Sequence, residues 1–310
     1  MQPPQLSENN RLEYLIAVML EDFSIEVTPA LVSKISNFRE HLKPNTSIFI
    51  THLPGSEFEN VIETAQQLYE QGFNPVPHLA ARSIRNKQTL QRHLDKLKRV
   101  AGLEEVLLIG GSVDNPVGEF SDTMQLLDTG LFESFDISRI GVAGHPEGSP
   151  DISDDAIHDA LKWKNDFAVK TSINLHLVTQ FCFEAKPVIN WIERIGVQGN
   201  RLSVCVGIPG LATIKSLLNH ARACGVGPSM RFISRQARNV TKILSVSSPD
   251  KLIIDLAKYC HNQPNTGIRG IHVFSLGAFK KSSTWSNAVA RRQITLNSEG
   301  DGFTTNMSGN

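Results

Sequence analysis

The stretch SIFITHLPGSEFENVIETAQQLYEQGFNPVPHLAAR, residues 47–82, holds the unit from which the fold is read. Two short apolar runs, 47–53 and 75–81, flank a longer segment whose Phe58, Val61, Ile62, Ala65 and Leu68 fall on one helical face before Gly72 stops it. Strand, helix, strand in this order predicts parallel neighbours, because parallel strands need a crossover connection. The alternation continues in both directions: FSIEVT (23–28) precedes it, and EVLLIGG (105–111), RIGVAGH (139–145), LHLVTQFCF (175–183), RLSVCVGI (201–208) and GIHVFSL (270–276) follow. Eight such runs separated by helical patterns predict an α/β fold of the (β/α)8 TIM barrel type. A doubly wound open sheet is the alternative. Against it, no G-x-G-x-x-G follows the first run, and the polar residues at strand ends are spread along the chain rather than gathered at one switch point.

The residues that close the runs are Glu26, Thr51, His78, Ser112, His145, Gln180, Pro209 and Ser275, and the last gap, 66 residues, is the longest. Two helical patterns fit inside it, so extra helices are expected between strands 7 and 8, where elaboration usually covers a ligand site. One of them carries Arg231, Arg235, Arg238 and Lys242 on a single face, read either as a dock for carboxylates or phosphates or as a solvated stripe. Residues 1–18 read as an N-terminal arm or helix, 19–293 as one barrel domain, and 294–310, polar and Gly-rich, as a disordered tail.

Composition narrows the function. The 310 residues carry 31 basic and 31 acidic side chains, which lacks the basic footprint of a nucleic-acid-binding protein. Four cysteines, Cys182, Cys205, Cys224 and Cys260, stand far apart with no C-x-x-C pair, so no metal site and no disulfide framework is signalled. No secretory leader or membrane-spanning run is read, and a cytoplasmic location is expected. Self-association as a homo-oligomer is left open.

In a barrel of this type the chemistry sits at the C-terminal rim of the strands. Alternation in the first run puts Glu26 on one face with Ser24 and Thr28, pointing into the mouth. A carboxyl in a partly dry cavity is expected to have a raised pKa and to serve as a proton donor; the competing reading is a structural carboxylate bonded to neighbouring hydroxyls or a lysine. His78 and His145, with Thr51 and Gln180, complete a polar ring. Gly110 and Gly111 leave backbone N–H groups open to a flat or anionic ligand.

These residues together resemble the methylenetetrahydrofolate reductases, a (β/α)8 family that uses FAD to pass a hydride from NAD(P)H to 5,10-methylenetetrahydrofolate. SIEVTP is similar to the family's Ser-Phe-Glu-Phe-Phe-Pro, FITHLPG to its Val-Thr-Tyr-Gly, PHLAAR to its Pro-His-Leu, HPEGSP to its Tyr-Pro-Glu-x-His-Pro and TQFCFE to its Thr-Gln-Phe-Phe-Phe-Asp. VGIPGLATIKSLL resembles its Pro-Gly-Ile and the following helix, IHVFSL its final strand, and the likeness runs in order over about residues 20–292. It implies Glu26 as the catalytic acid. It carries cofactor contacts onto Thr51, His78, Ile109, Gly110, Gly111, Ser112, His145, Ser149 and Lys164, and substrate contacts onto Gln180, Ser275 and Leu276. The implied activity is ping-pong hydride transfer through FAD between 5,10-methylenetetrahydrofolate and 5-methyltetrahydrofolate, with NAD(P)H as donor. The chain departs from the family where Leu-Arg-Gly-Asp becomes Ile109, Gly110, Gly111 and Ser112, where Tyr and His become His145 and Ser149, and where the Asn after the last strand becomes Gly277. Asp114 is a weak substitute for the lost carboxylate. Two alternatives stay open: a flavin-free NAD(P)H-dependent folate reductase, and a non-catalytic folate- or flavin-binding paralogue.

Overall fold

The computed structural model describes residues 8–213, 215–217, 248–263 and 265–306. The eight expected strands form one closed, all-parallel barrel in chain order: β1 (Ser24–Val27), β2 (Ser47–Ile50), β3 (Asn74–Ala80), β4 (Glu105–Ile109), β5 (Arg139–Gly144), β6 (Asn174–Thr179), β7 (Ser203–Pro209) and β8 (Ile268–Phe274). The pairing of Ser24 with His272 closes the ring between β1 and β8 and excludes the open sheet. Most strands end before the apolar runs do. In LHLVTQFCF the ladder stops at Thr179, and Phe181 leaves it to pack on Phe274 and Phe183 at 5.3 and 5.7 Å.

Strand alternation builds two cores. Outward residues such as Ile25, Val27, Ile48, Ile50, Val106 and Leu108 join the main core under the helices, while Phe49, Val76, Leu107 and Val178 form a separate plug inside the barrel. Below the plug, at the N-terminal ends of the strands, Glu105 Oε2 pairs with Arg139 Nε at 3.0 Å and Oε1 lies 3.4 Å from His176 Nε2. A polar cluster at that end stabilises the fold and lies away from the rim where chemistry occurs.

The helices that matter for the site are α1 (Glu8–Leu20), α2 (Pro29–Val32), α3 (Glu59–Glu70), α4 (Lys87–Ala101), α5 (Thr123–Leu127), α6 (Leu131–Ser134), α7 (Asp154–Lys170), α8 (Ala185–Val197), α9 (Asp250–Asn262) and α10 (Phe279–Ala290). The N-terminal segment is helical: α1 buries Ile16, Ala17, Met19 and Leu20 and packs on α9 and α10. In the seventh connection, α9 is described; Arg231, Arg235, Arg238 and Lys242 lie outside the described residues. The segment from 294 differs from the expected disordered tail. Ile294–Leu296 and Phe303–Thr305 pair as an antiparallel hairpin, with Phe303 stacked on Trp285 at 6.1 Å. Its two anchors, Ile294 and Phe303, are few against the polar turn between them, so composition concealed it. No helix among the described residues is long and apolar enough to cross a membrane.

Where β6 ends, β7 needs a glycine. Gly207 N–H donates to Thr179 Oγ1 at 2.8 Å, and a Cβ at 207 would stand 2.4 Å from the Thr179 carbonyl oxygen and 3.0 Å from that of Gln180. Gly207→Ala is expected to destabilise the protein by about 1–3 kcal/mol, the usual cost of overpacking, read as a lower urea midpoint at unchanged slope. An unchanged midpoint would show that the two strands separate freely there.

Candidate active site

Alternation along β1 turns Ser24 and Glu26 into the barrel while Ile25 and Val27 join the outer core. The Glu26 side chain is 19% exposed, with Oε2 at 3.6 Å from His78 Nε2 on β3 and 4.0 Å from His272 Nε2 on β8. The Thr51 hydroxyl donates to the Val27 carbonyl at 3.1 Å and also faces this carboxylate. Glu26, Thr51 and His78 are therefore brought together as expected.

The charge state of Glu26 differs from the expectation of a raised pKa. Burial pushes the carboxyl up, but the polar neighbours around it, His272 first, then His78 and Thr51, outweigh burial and hold it below its usual value. The cavity is shared by two imidazoles, of which only His78 is among the residues that close the apolar runs. His78 itself is pushed down to about 4 by burial, against the attraction of Glu26, so it is neutral at pH 7. The rim thus carries an ionised carboxylate between imidazoles, ready to accept a proton.

The remaining candidates divide between a second cluster and the rim loops. A cavity of about 860 Å³ lies between the ends of β4 and β5 and the helices α7 and α8, lined in part by Arg82, Gly110, His145, Lys164 and Trp191. Of the 17 residues of α7, only Lys164 is buried. It makes no hydrogen bond or ion pair among the described residues, and burial lowers its pKa to about 8, partly offset by Asp122. His145 is pushed down to about 4, first by burial and then by Lys164. A buried cation with no hydrogen bond or ion pair among the described residues, facing a cavity of ligand size, fits an anionic group.

Ile109 points inward beside the plug. Gly111 adopts φ +93°, a conformation natural to glycine, and Ser112 and Asp114 beyond it are exposed. Arg82 straps this loop down: its N–H donates to the Gly110 carbonyl at 3.0 Å, its Nε to the Ser121 carbonyl at 3.1 Å, and its own carbonyl accepts from Val117 N–H at 2.9 Å. Ser149 is half-buried, and its hydroxyl accepts from Asp151 N–H at 3.3 Å. Gln180 follows β6 with its N–H on the Gly144 carbonyl at 3.0 Å. Ser275 is buried, and Leu276 and Gly277 follow with φ of 48° and 84°, an unusual conformation for leucine at the rim.

Three residues were not assigned from sequence: Arg82, Ser24 as a partner, and His272. The last two sit one layer below the strand ends. Marking inward positions by alternation, rather than only the residues that close each run, would have found His272 in GIHVFSL.

The model of a family described as methylenetetrahydrofolate reductase matches residues 25–283. Among solved structures, an uncharacterized protein from Clostridium thermocellum, described as binding two copies of 5-methyl-5,6,7,8-tetrahydrofolic acid, has a TM-score of 0.57 at 14% identity, covering 90% of this chain and 97% of that one. At this identity the likeness speaks for the fold. Dihydropteroate synthase from Yersinia pestis is more distant, with a TM-score of 0.44 at 14% identity over 88% of this chain and 94% of that one.

Proposed function

The chain belongs to the methylenetetrahydrofolate reductase family, and from that premise we propose that it interconverts 5,10-methylenetetrahydrofolate and 5-methyltetrahydrofolate by hydride transfer, with NAD(P)H as the electron donor. The observation that carries the reading is the placement of Glu26 in the barrel mouth with Thr51 and His78 beside it. A reduced folate bound by a protein of similar fold supports the substrate class.

Opening or closing the five-membered ring of the folate moves one proton at N10, and Glu26 is the rim residue suited to exchange it. Gln180 anchors the pterin, whose amide-like edge matches a side chain able both to donate and to accept. Ser275 and Leu276, just after β8, border it. The family's cofactor is FAD, which when bound supplies the two-electron hydride carrier. The chain's residues fit it at one end: Lys164, buried and with only the distant attraction of Asp122 to offset its charge, suits its phosphates. Thr51, His78, His145, Ile109 and the backbone of Gly110 and Gly111 would hold the rest. At the fourth strand the fit is thinner, since Gly110, Gly111 and Ser112 offer N–H groups and a hydroxyl in place of an arginine and a carboxylate.

That substitution favours a second reading, a folate enzyme in which NAD(P)H delivers hydride directly. The visible absorption of the purified protein, followed by addition of each nicotinamide with and without methylenetetrahydrofolate, separates the two. A flavin band that bleaches with nicotinamide alone is the expected result; folate turnover by a colourless protein would overturn the flavin assignment and keep the folate one.

A further inference from the structure

We infer that Ser24 and His272 form a positioning pair that presents Glu26 as the acceptor of the N10 proton when the folate ring closes; the inference rests on the folate reading above. Ser24 and His272 are directly paired across the β1–β8 seam, and Ser24 Oγ lies 2.8 Å from His272 Nδ1. The imidazole is fully buried, with ring centroids of Phe49 and Phe274 at 4.5 and 4.7 Å. A ring boxed in this way cannot turn over without moving the core. Its two nitrogens therefore have fixed assignments, Nδ1 toward Ser24 and Nε2 toward Glu26.

The neighbours select the tautomer. With the Ser24 hydroxyl donating to Nδ1, the ring proton is assigned to Nε2, the nitrogen on the side of the Glu26 carboxylate. The other tautomer would set a lone pair against an anion and leave Glu26 without that donor. Nε2 has no hydrogen-bond partner among the described residues, and its 4.0 Å separation from Oε2 is longer than a hydrogen bond. The carboxylate is therefore oriented without being locked, and can reach a substrate nitrogen. The titratable groups facing it among the described residues are His272 on β8 and His78 on β3, the second neutral at pH 7.

In the ring-closing step the N10 lone pair adds to the methylene carbon of the N5 iminium, the C=N π pair returns to N5, and the N10 proton passes to the Glu26 carboxylate. No oxidant is consumed in this step. The Glu26 side chain is partly exposed, which gives the proton a route to solvent.

The test is titration of the Glu26 carboxyl in the full chain by 13C NMR of labelled glutamate, assigned with Glu26→Gln. His272→Phe is expected to raise the Glu26 midpoint by about one pH unit or more, a tenfold gain in proton affinity. His272→Gln, which restores an N–H donor, is expected to return it toward wild type, and Ser24→Ala to give a smaller rise. A purely structural role would lower stability without moving the midpoint. If His272→Phe does not fold, Ser24→Ala decides. An unmoved midpoint in a folded variant that still binds 5-methyltetrahydrofolate overturns the pair. Absence of folate binding by wild type, measured by calorimetry, overturns the folate reading and the N10 assignment with it, whatever the midpoints do.

Discussion

Glu26→Gln is expected to slow interconversion of methylene- and methyltetrahydrofolate by roughly 10²–10⁴-fold, the usual worth of a positioned acid or base, while folate affinity changes only a few-fold. Gln keeps the volume and the acceptor oxygen but cannot exchange a proton. The electron-donor half of the reaction involves no proton at N10, so nicotinamide oxidation with an artificial acceptor should continue. The two halves are separated by rapid-mixing measurements of each. Survival of both would return Glu26 to the status of a structural carboxylate. The low pKa also fixes the pH trend: ring opening, which needs the protonated carboxyl, should quicken as pH falls toward the folded-state pKa, whereas ring closure should lose rate over the same interval.

Lys164→Met should have an effect of opposite kind, a gain in stability with a loss of ligand. The folded-state pKa of about 8 lies below the ordinary 10.5, so the folded protein holds this proton less tightly than the unfolded chain does. Between those values the unfolded state binds more protons, and stability rises with pH; below about 8 the full penalty of the buried charge applies. Replacing the ammonium by a thioether of similar reach is expected to raise stability at pH 7 by on the order of 3 kcal/mol and to remove this part of the pH dependence. Denaturant titrations of both proteins at pH 7 and pH 10 check it, the difference between proteins cancelling the titration of the cysteines. The same variant should bind a phosphate-bearing cofactor more weakly. A charge that costs stability yet sits beside an open cavity is expected where it serves a ligand. Equal stability at both pH values would mean that Asp122 offsets the burial of Lys164 in full.

The barrel was legible because its signal is local and repeated. Each apolar run and each helical face, such as Phe58 to Leu68, carries its own period, and eight of them agree. Glu26, Thr51 and His78 were legible for the related reason that strand alternation and barrel geometry together say where a strand-end side chain points. What sequence could not supply was the neighbour across the seam: His272 is 246 positions from Glu26, and only ring closure places them 4.0 Å apart. The lowered pKa of Glu26 follows in part from that missing neighbour, with His78 and Thr51 adding to it. The hairpin after 293 was hidden because two buried side chains, Ile294 and Phe303, are outnumbered by the polar residues of its turn.

The most direct measurement is a single turnover: protein loaded with reduced flavin is mixed with 5,10-methylenetetrahydrofolate, and both the flavin spectrum and the folate product are followed. Formation of 5-methyltetrahydrofolate in step with flavin reoxidation is the result required here. Folate that binds while the flavin stays reduced and no methyl product appears would contradict it and leave the barrel mouth a binding site without chemistry.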